Sequence, residues 1–203
     1  AGHQILANAG ELLGRKTIAD CMQDPVLSVF FRKVQVEEIL PYVDPVPSVT
    51  PHDYLALIEQ RFSNPALQDT TRRVAFDGSS RHSGFVVPII REALAANASV
   101  EGLALVEALW ARMCLGRRED GSTIEANDPN WPALLQAARS AASRPEAWLE
   151  QDAIYGDLVS HGPFLEAFKS WMAALAERGT EETLKAYATG SERGKGSGPN
   201  ETQ

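Results

Sequence analysis

Cysteine is scarce in this 203-residue sequence: Cys21 and Cys114 are its only two. They stand far apart, each in an apolar stretch of helical spacing. A disulfide scaffold is therefore excluded, and both read as buried free thiols of a reducing, cytoplasmic compartment. Histidine is almost as rare. His3, His52, His82 and His161 have no partners at metal-ligand spacing, and no Cys-x-x-Cys pair accompanies them, so no metal site is expected. Cations are outnumbered, with 19 Lys and Arg against 27 Asp and Glu, a formal charge of −8. Without a basic stretch to release phosphate counterions, nucleic acids and anionic membrane surfaces are excluded as partners. Long hydrophobic runs are missing too. The most apolar stretch, Gly102 to Leu115, is interrupted by Glu107 and Arg112 and falls short of the ~20 apolar residues a membrane span needs. No basic segment followed by an apolar one opens the chain as a signal peptide would. Glycine-rich phosphate loops are also lacking: Gly190, Gly194, Gly196 and Gly198 follow no strand and open no helix. Ser79 and Ser80 sit in no Gly-x-Ser-x-Gly elbow, and neither cysteine has a neighbouring base, so no nucleophilic triad is indicated.

What is present is helix. A first one is expected over Gln4 to Leu13, with Ile5, Leu6, Ala9, Leu12 and Leu13 on one face and Gly14 as its stop. Thr17 and Asp20 form a capping-box pattern for a short helix through Gln23. Asp24-Pro25, Thr50-Pro51, Asn64-Pro65 and Asp128-Pro129 each combine a cap with a proline suited to a first helical turn. Further starts are expected at Ser99, Pro145, Gly162-Pro163 and Thr180. The helix opened at Pro65 is expected to carry Leu67, Thr71, Val74 and Ala75. Pro41, Pro45, Pro47 and Pro51 impose an extended, rigid stretch. Asp77 to Gly84 has no apolar periodicity and reads as a polar turn between helices. With no alternating strand pattern, the fold class is all-α. Residues 1–188 form the expected helical domain, and residues 189–203, rich in Gly, Ser, Lys and Glu, a flexible polar tail. Residue 1 is Ala, with a helix already under way at Gln4. The chain is therefore expected to be a segment of a longer enzyme.

Two groups could carry chemistry. Arg73 and Arg81 bracket Asp77-Gly78-Ser79-Ser80, where hydroxyls and guanidinium forks could donate to an oxygen-rich ligand. The competing reading is a helix end capped by Asp77 with solvated arginines. His3 is the second candidate, its bland alternative being a frayed terminal residue. Trp110, Trp131, Trp148 and Trp171 lie at helical spacing with Leu and Met and read as packing residues.

The opening Ala1-Gly2-His3-Gln4-Ile5-Leu6-Ala7-Asn8-Ala9-Gly10 resembles the stretch that follows the catalytic lysine of the long-chain, zinc-independent mannitol 2-dehydrogenase (polyol dehydrogenase) family. His3 matches the final residue of that family's Lys-x4-Asn-x2-His motif, whose Lys and Asn would precede Ala1. Arg73-Val74-Ala75-Phe76-Asp77-Gly78-Ser79-Ser80-Arg81 resembles the family's substrate-binding segment, with Arg73 on its arginine and Arg81 where many members have lysine. The resemblance covers most of Ala1 to Ala188. It implies the multi-helix C-terminal substrate domain of a two-domain dehydrogenase, similar to the C-terminal domain of 6-phosphogluconate dehydrogenase. Its Rossmann partner domain would lie N-terminal to this chain. It implies NAD or NADP, bound mainly by that domain, and no metal. The implied substrate is a sugar alcohol (mannitol, arabinitol or sorbitol) interconverted with a ketose. His3 would be catalytic, and Arg73 and Arg81 would bind substrate. A sugar-acid oxidoreductase of the fructuronate or mannonate type is the alternative within the same class. A non-catalytic helical interaction module is the alternative outside it.

Overall fold

A computed structural model describes residues 1–43 and 47–190. Among them the chain is all-α, as its spacing predicts, with no strand and only isolated bridges at Thr17–Thr70 and Arg117–Thr123. The helices are α1 (Gly2–Leu12), α2 (Ile18–Gln23), α3 (Pro25–Val34), α4 (Pro51–Phe62), α5 (Thr71–Ala75), α6 (Gly78–Arg81), α7 (Val87–Ala95), α8 (Glu101–Met113), α9 (Trp131–Ala141), α10 (Glu146–Leu149), α11 (Asp152–Tyr155) and α12 (Gly162–Thr189). Pro45 and the tail beyond Gly190 lie outside the described residues.

Local chemistry starts several of these helices. Thr17 and Asp20 form the reciprocal capping box of α2. The Asp24 carboxylate accepts from Val26 and Leu27 N–H at the head of α3, and Thr50 accepts from Asp53 N–H at the head of α4. Gly14 and Gly116, with φ of +68° and +76°, end the apolar runs before them.

Helix α8 forms the middle of the molecule and is buried from Gly102 to Ala111. It packs most extensively against α12 and also against α1. Each fully buried Leu or Val there contributes about 1.5–3 kcal/mol. Gly102 lets α12 approach: a Cβ at that position would stand 2.3 Å from the Tyr187 hydroxyl oxygen. Helix α1 is buried on every side, Gln4, Asn8 and Glu11 included, although its apolar spacing implied one buried face. Trp110, Trp148 and Trp171 are core residues and Trp131, partly buried, packs against that core, as expected. Both cysteines are buried and unpaired; burial pushes the Cys21 thiol up to about 12 and Cys114 well above its ordinary value.

Four expectations need correction. The helix opened at Asn64-Pro65 is only a 3-10 turn, Pro65–Leu67, and the chain restarts at α5. The reason is tertiary: Asp69 O accepts from Ile18 N–H and Thr71 N–H donates to Lys16 O, so this backbone is taken up outside a helix. Pro41 does not sit in an extended stretch but at the start of a 3-10 turn, Leu40–Tyr42, following a π-helical turn, Gln35–Ile39. Ser99 is not the main cap of α8. The Glu38 carboxylate, whose pKa burial raises, accepts from Gly102 N–H at 2.7 Å and Leu103 N–H at 2.9 Å. Asp77 to Gly84, finally, is not a plain turn. It contains α6 and the start of a π-helical turn, His82–Val86, with Ser79 and His82 buried.

Candidate functional site

The segment between Arg73 and Arg81 is built by two neighbours. Asp77 adopts the left-handed region at φ 57°, and its N–H donates to Asn127 O. Gly78 then lies flat on Trp110: a Cβ there would stand 2.8 Å from the indole Nε1. Ser79 turns inward. Its N–H donates to Asp128 Oδ2 at 2.7 Å and its hydroxyl to Asp128 Oδ1 at 2.9 Å. The Ser80 hydroxyl donates to Asp77 Oδ1. The two serine hydroxyls weighed as ligand donors are therefore spent on the fold, and the Asp-Gly-Ser pattern is a device for placing Arg81. Arg81 is held through Nε, which donates to Phe76 O at 2.8 Å, and it forms no ion pair among the described residues. Arg73, largely exposed, pairs with Asp69.

His3 lies in the first turn of α1. Its ring packs against Phe62, the last residue of α4, with centroids 4.4 Å apart. Its pKa is lowered to about 4, by burial first and then by nearby positive charges. Those are the amino terminus, Arg61, Arg81 and Arg73. His3 is accordingly a neutral imidazole at neutral pH, with one ring nitrogen free to donate and the other to accept. Arg61 is the member that the sequence reading missed. It forms no ion pair among the described residues and is exposed at the end of α4, beside the phenyl ring that packs on His3. No local pattern marks it: its charge bears on His3 because Phe62, its neighbour at the end of α4, packs against the His3 ring.

Side-chain hydrogen bonds tie the helices around this group. Gln4, next to His3, donates from Nε2 to the carbonyl of Val74, next to Arg73, at 3.0 Å. Asn8 Nδ2 lies 3.0 Å from Nε2 of His82, next to Arg81. A separate polar cleft of about 460 Å³ lies at the other end of α1, with Glu11, Arg15, Arg72 and Arg118 among its walls. It contains neither His3, Arg73 nor Arg81. Its arginines are engaged, Arg15 by Asp24, Arg72 by Glu125 and Arg118 by Glu11. Among the described residues no three His, Cys, Asp or Glu side chains converge as a metal site would require.

The family model of the mannitol dehydrogenase C-terminal domain matches residues 1–176. The chain belongs to this family. Among relatives of this mannitol dehydrogenase C-terminal domain, the mannitol 2-dehydrogenase of Cereibacter sphaeroides is 42% identical over 186 residues, which are 92% of this chain and 39% of that protein. The mannitol 2-dehydrogenase of Aspergillus terreus is 28% identical over 91% of this chain and 37% of its own length. The domain also matches a solved structure, the Pseudomonas fluorescens mannitol 2-dehydrogenase ternary complex with NAD and D-mannitol. The TM-score is 0.88 and the identity 30%, over 93% of this chain and 38% of that one. A D-sorbitol dehydrogenase in substrate-free form shares the fold at TM-score 0.80 and 24% identity, over 90% of this chain and 38% of that one. The chain thus spans about 39% of the length of the first of these relatives.

Proposed function

We propose that this mannitol dehydrogenase C-terminal domain is the substrate-binding part of an NAD(P)-dependent polyol 2-dehydrogenase, interconverting a sugar alcohol and a ketose. The observation that carries the reading is that α1 is tied beside the predicted residues, Gln4 to the Val74 carbonyl and Asn8 to His82, each at 3.0 Å, with the charges of Arg73 and Arg81 lowering the pKa of the half-buried His3 imidazole. The mannitol 2-dehydrogenase relatives support it, and so does the likeness to the structure solved with NAD and D-mannitol.

Oxidising a secondary alcohol requires that the hydroxyl proton leave and that the reacting carbon be held still. His3, neutral at working pH, is suited to hydrogen-bond the reacting oxygen. Arg81, with its terminal amino groups clear of carboxylates, and Arg73 are suited to hold remote hydroxyls. A bound nicotinamide would supply the hydride acceptor. The described residues contain no strand and no glycine-rich turn opening a helix, so the cofactor's holding residues are assigned outside this chain. The base, a lysine in the family motif, is assigned there as well. Phe76 and Phe85, on either side of Arg81 in sequence, are 52% and 58% exposed. They are suited to be covered by the N-terminal Rossmann domain of the same protein. The buried, protonated thiols fit a reducing, cytoplasmic compartment.

One observation favours a second reading. The charges of three arginines, Arg61, Arg81 and Arg73, all lower the pKa of His3, and only Arg73 has a carboxylate partner among the described residues. A sugar acid would offer its own carboxylate to Arg61 or Arg81. Assaying mannitol, arabinitol, sorbitol and fructuronate with both nicotinamides in the full-length protein separates the two. Arg73→Ala tests the site itself. Loss of a charged donor to substrate costs about 1.5–3 kcal/mol, roughly 10- to 150-fold in kcat/KM, with Kd for NAD unchanged. A folded variant with the parent kcat/KM would reject the assignment.

A further inference from the structure

A hydrogen-bonded chain runs through the interior behind the site. His82 is fully buried, its ring stacked on Trp110 with centroids 4.0 Å apart. Its Nδ1 lies 2.7 Å from Oε1 of Glu107, on α8, which is itself fully buried. Glu107 Oε2 accepts from the Tyr155 hydroxyl at 2.6 Å, and Trp148 Nε1 donates to that hydroxyl at 2.6 Å. At its other end the chain stops on α1, where Asn8 Nδ2 lies 3.0 Å from His82 Nε2.

The proton positions follow from the partners. With Glu107 ionised and therefore only accepting, Nδ1 of His82 carries the hydrogen and the Nε2 lone pair receives the Asn8 amide. Asn8 Oδ1, buried, has no hydrogen-bond partner among the described residues, which leaves the bond to His82 as the side chain's hydrogen bond there. Two helix segments meet there. One is α1, which carries His3 five residues before Asn8. The other is α6, whose last residue is Arg81, directly before His82. The far end of the chain is rigid: α8 is the central helix, and Trp148 and Tyr155 are fully buried.

We propose that His82 is a positioning residue of the dehydrogenase site, a strut that transfers the fixed position of Glu107 to α1 and so sets His3 against Arg81. This rests on the polyol dehydrogenase reading above and adds to it a residue that touches neither substrate nor cofactor. The geometry separates its two functions as a strut. An asparagine at position 82 presents an amide near the place of Nδ1, keeping the bond to Glu107 and losing the one to α1. A glutamine presents its amide near the place of Nε2, keeping an acceptor for Asn8 and losing the bond to Glu107. Both variants disturb the core. Only the first cuts the hydrogen bond to α1.

The experiment compares His82→Asn and His82→Gln with wild type in the full-length protein. The readouts are melting temperature, Kd for NADH, kcat and KM for polyol, and the His3 ring cross-peak in a carbon-13 spectrum of the histidines. His82→Asn is expected to lower kcat roughly 10- to 100-fold, the scale of a 1 Å misplacement at a reacting group, with Kd for NADH unchanged and the His3 cross-peak shifted. His82→Gln is expected to keep the His3 cross-peak in place and kcat within about threefold of wild type. A purely structural role would lower kcat and melting temperature in parallel in both variants. That outcome, or an unmoved His3 cross-peak in His82→Asn, overturns the proposal. Should the position 82 variants fail to fold, Asn8→Leu cuts the same tie from the α1 side at similar volume and is read identically. A wild-type protein that oxidises no polyol would defeat the functional reading alone, while the His3 cross-peaks still decide the strut.

Discussion

Adding a single methyl group at Gly78 tests whether the Asp-Gly-Ser segment is shaped by the core beneath it. A Cβ at that position would stand 2.8 Å from Trp110 Nε1, 3.0 Å from Cε2 and 3.2 Å from Cζ2. The indole has nowhere to move. It is 1% exposed, His82 lies stacked on it, and Trp148 packs edge-on with centroids 4.9 Å apart. Backbone must shift instead, and overfilling a packed core costs about 1–3 kcal/mol. In a domain of this size each kcal/mol lowers the melting temperature by about 2–4 °C, so Gly78→Ala should melt roughly 2–12 °C below the parent. Because Arg81 follows three residues later, KM for substrate should rise in the full-length protein as well. Gly84 provides the control. It lies in the adjoining π-helical turn, its φ is ordinary, and a Cβ there meets nothing within 4 Å. Gly84→Ala should therefore change stability by about 0.5 kcal/mol or less, or raise it slightly by restricting the unfolded chain. Thermal denaturation of the three proteins side by side is the assay. Equal melting temperatures for Gly78→Ala and the parent would refute the argument that Trp110 dictates this glycine.

Two further outcomes are expected. His3 is held near pKa 4 in the folded chain against about 6.5 when unfolded, so between those values the unfolded chain binds the extra proton. Its contribution is full above pH 6.5 and is lost as pH falls towards 4; urea midpoints across that window should flatten in His3→Phe, and an unchanged pH slope would count against the burial of the ring. Glu38→Ala should cost about 1–3 kcal/mol by stripping two buried N–H groups at the head of α8 of their acceptor, whereas Ser99→Ala, whose bonds are 3.3 and 3.4 Å, should cost under about 1 kcal/mol; equal losses in thermal melts would contradict the assignment of Glu38 as the cap.

Whatever depends on neighbours along the chain was legible from residues alone. The caps at Thr17, Asp24 and Thr50 act within three residues, and the apolar repeat of α3 and α8 reports a buried helix wherever it docks. Those facts suffice for the all-α class. The resemblance around His3 and from Arg73 to Arg81 pointed to the family that the comparisons show. What depends on contacts between distant segments was not legible. Periodicity counts apolar residues, so it could not foresee that Gln4, Asn8, His82 and Glu107 are buried with the core, since a buried polar group is tolerable only when a remote partner meets it. The break between the Pro65–Leu67 turn and α5, forced by pairing with residues 16–18, and the replacement of Ser99 by Glu38 at the head of α8 have the same origin. Arg61 bears on His3 only through the Phe62–His3 contact between α4 and α1, and Ser79 is withdrawn from ligand chemistry only because Asp128, 49 residues away, accepts both its donors. Local spacing determines where a helix begins; which of its polar side chains are spent on the fold, and which are left to meet a substrate, is decided when the helices close on one another.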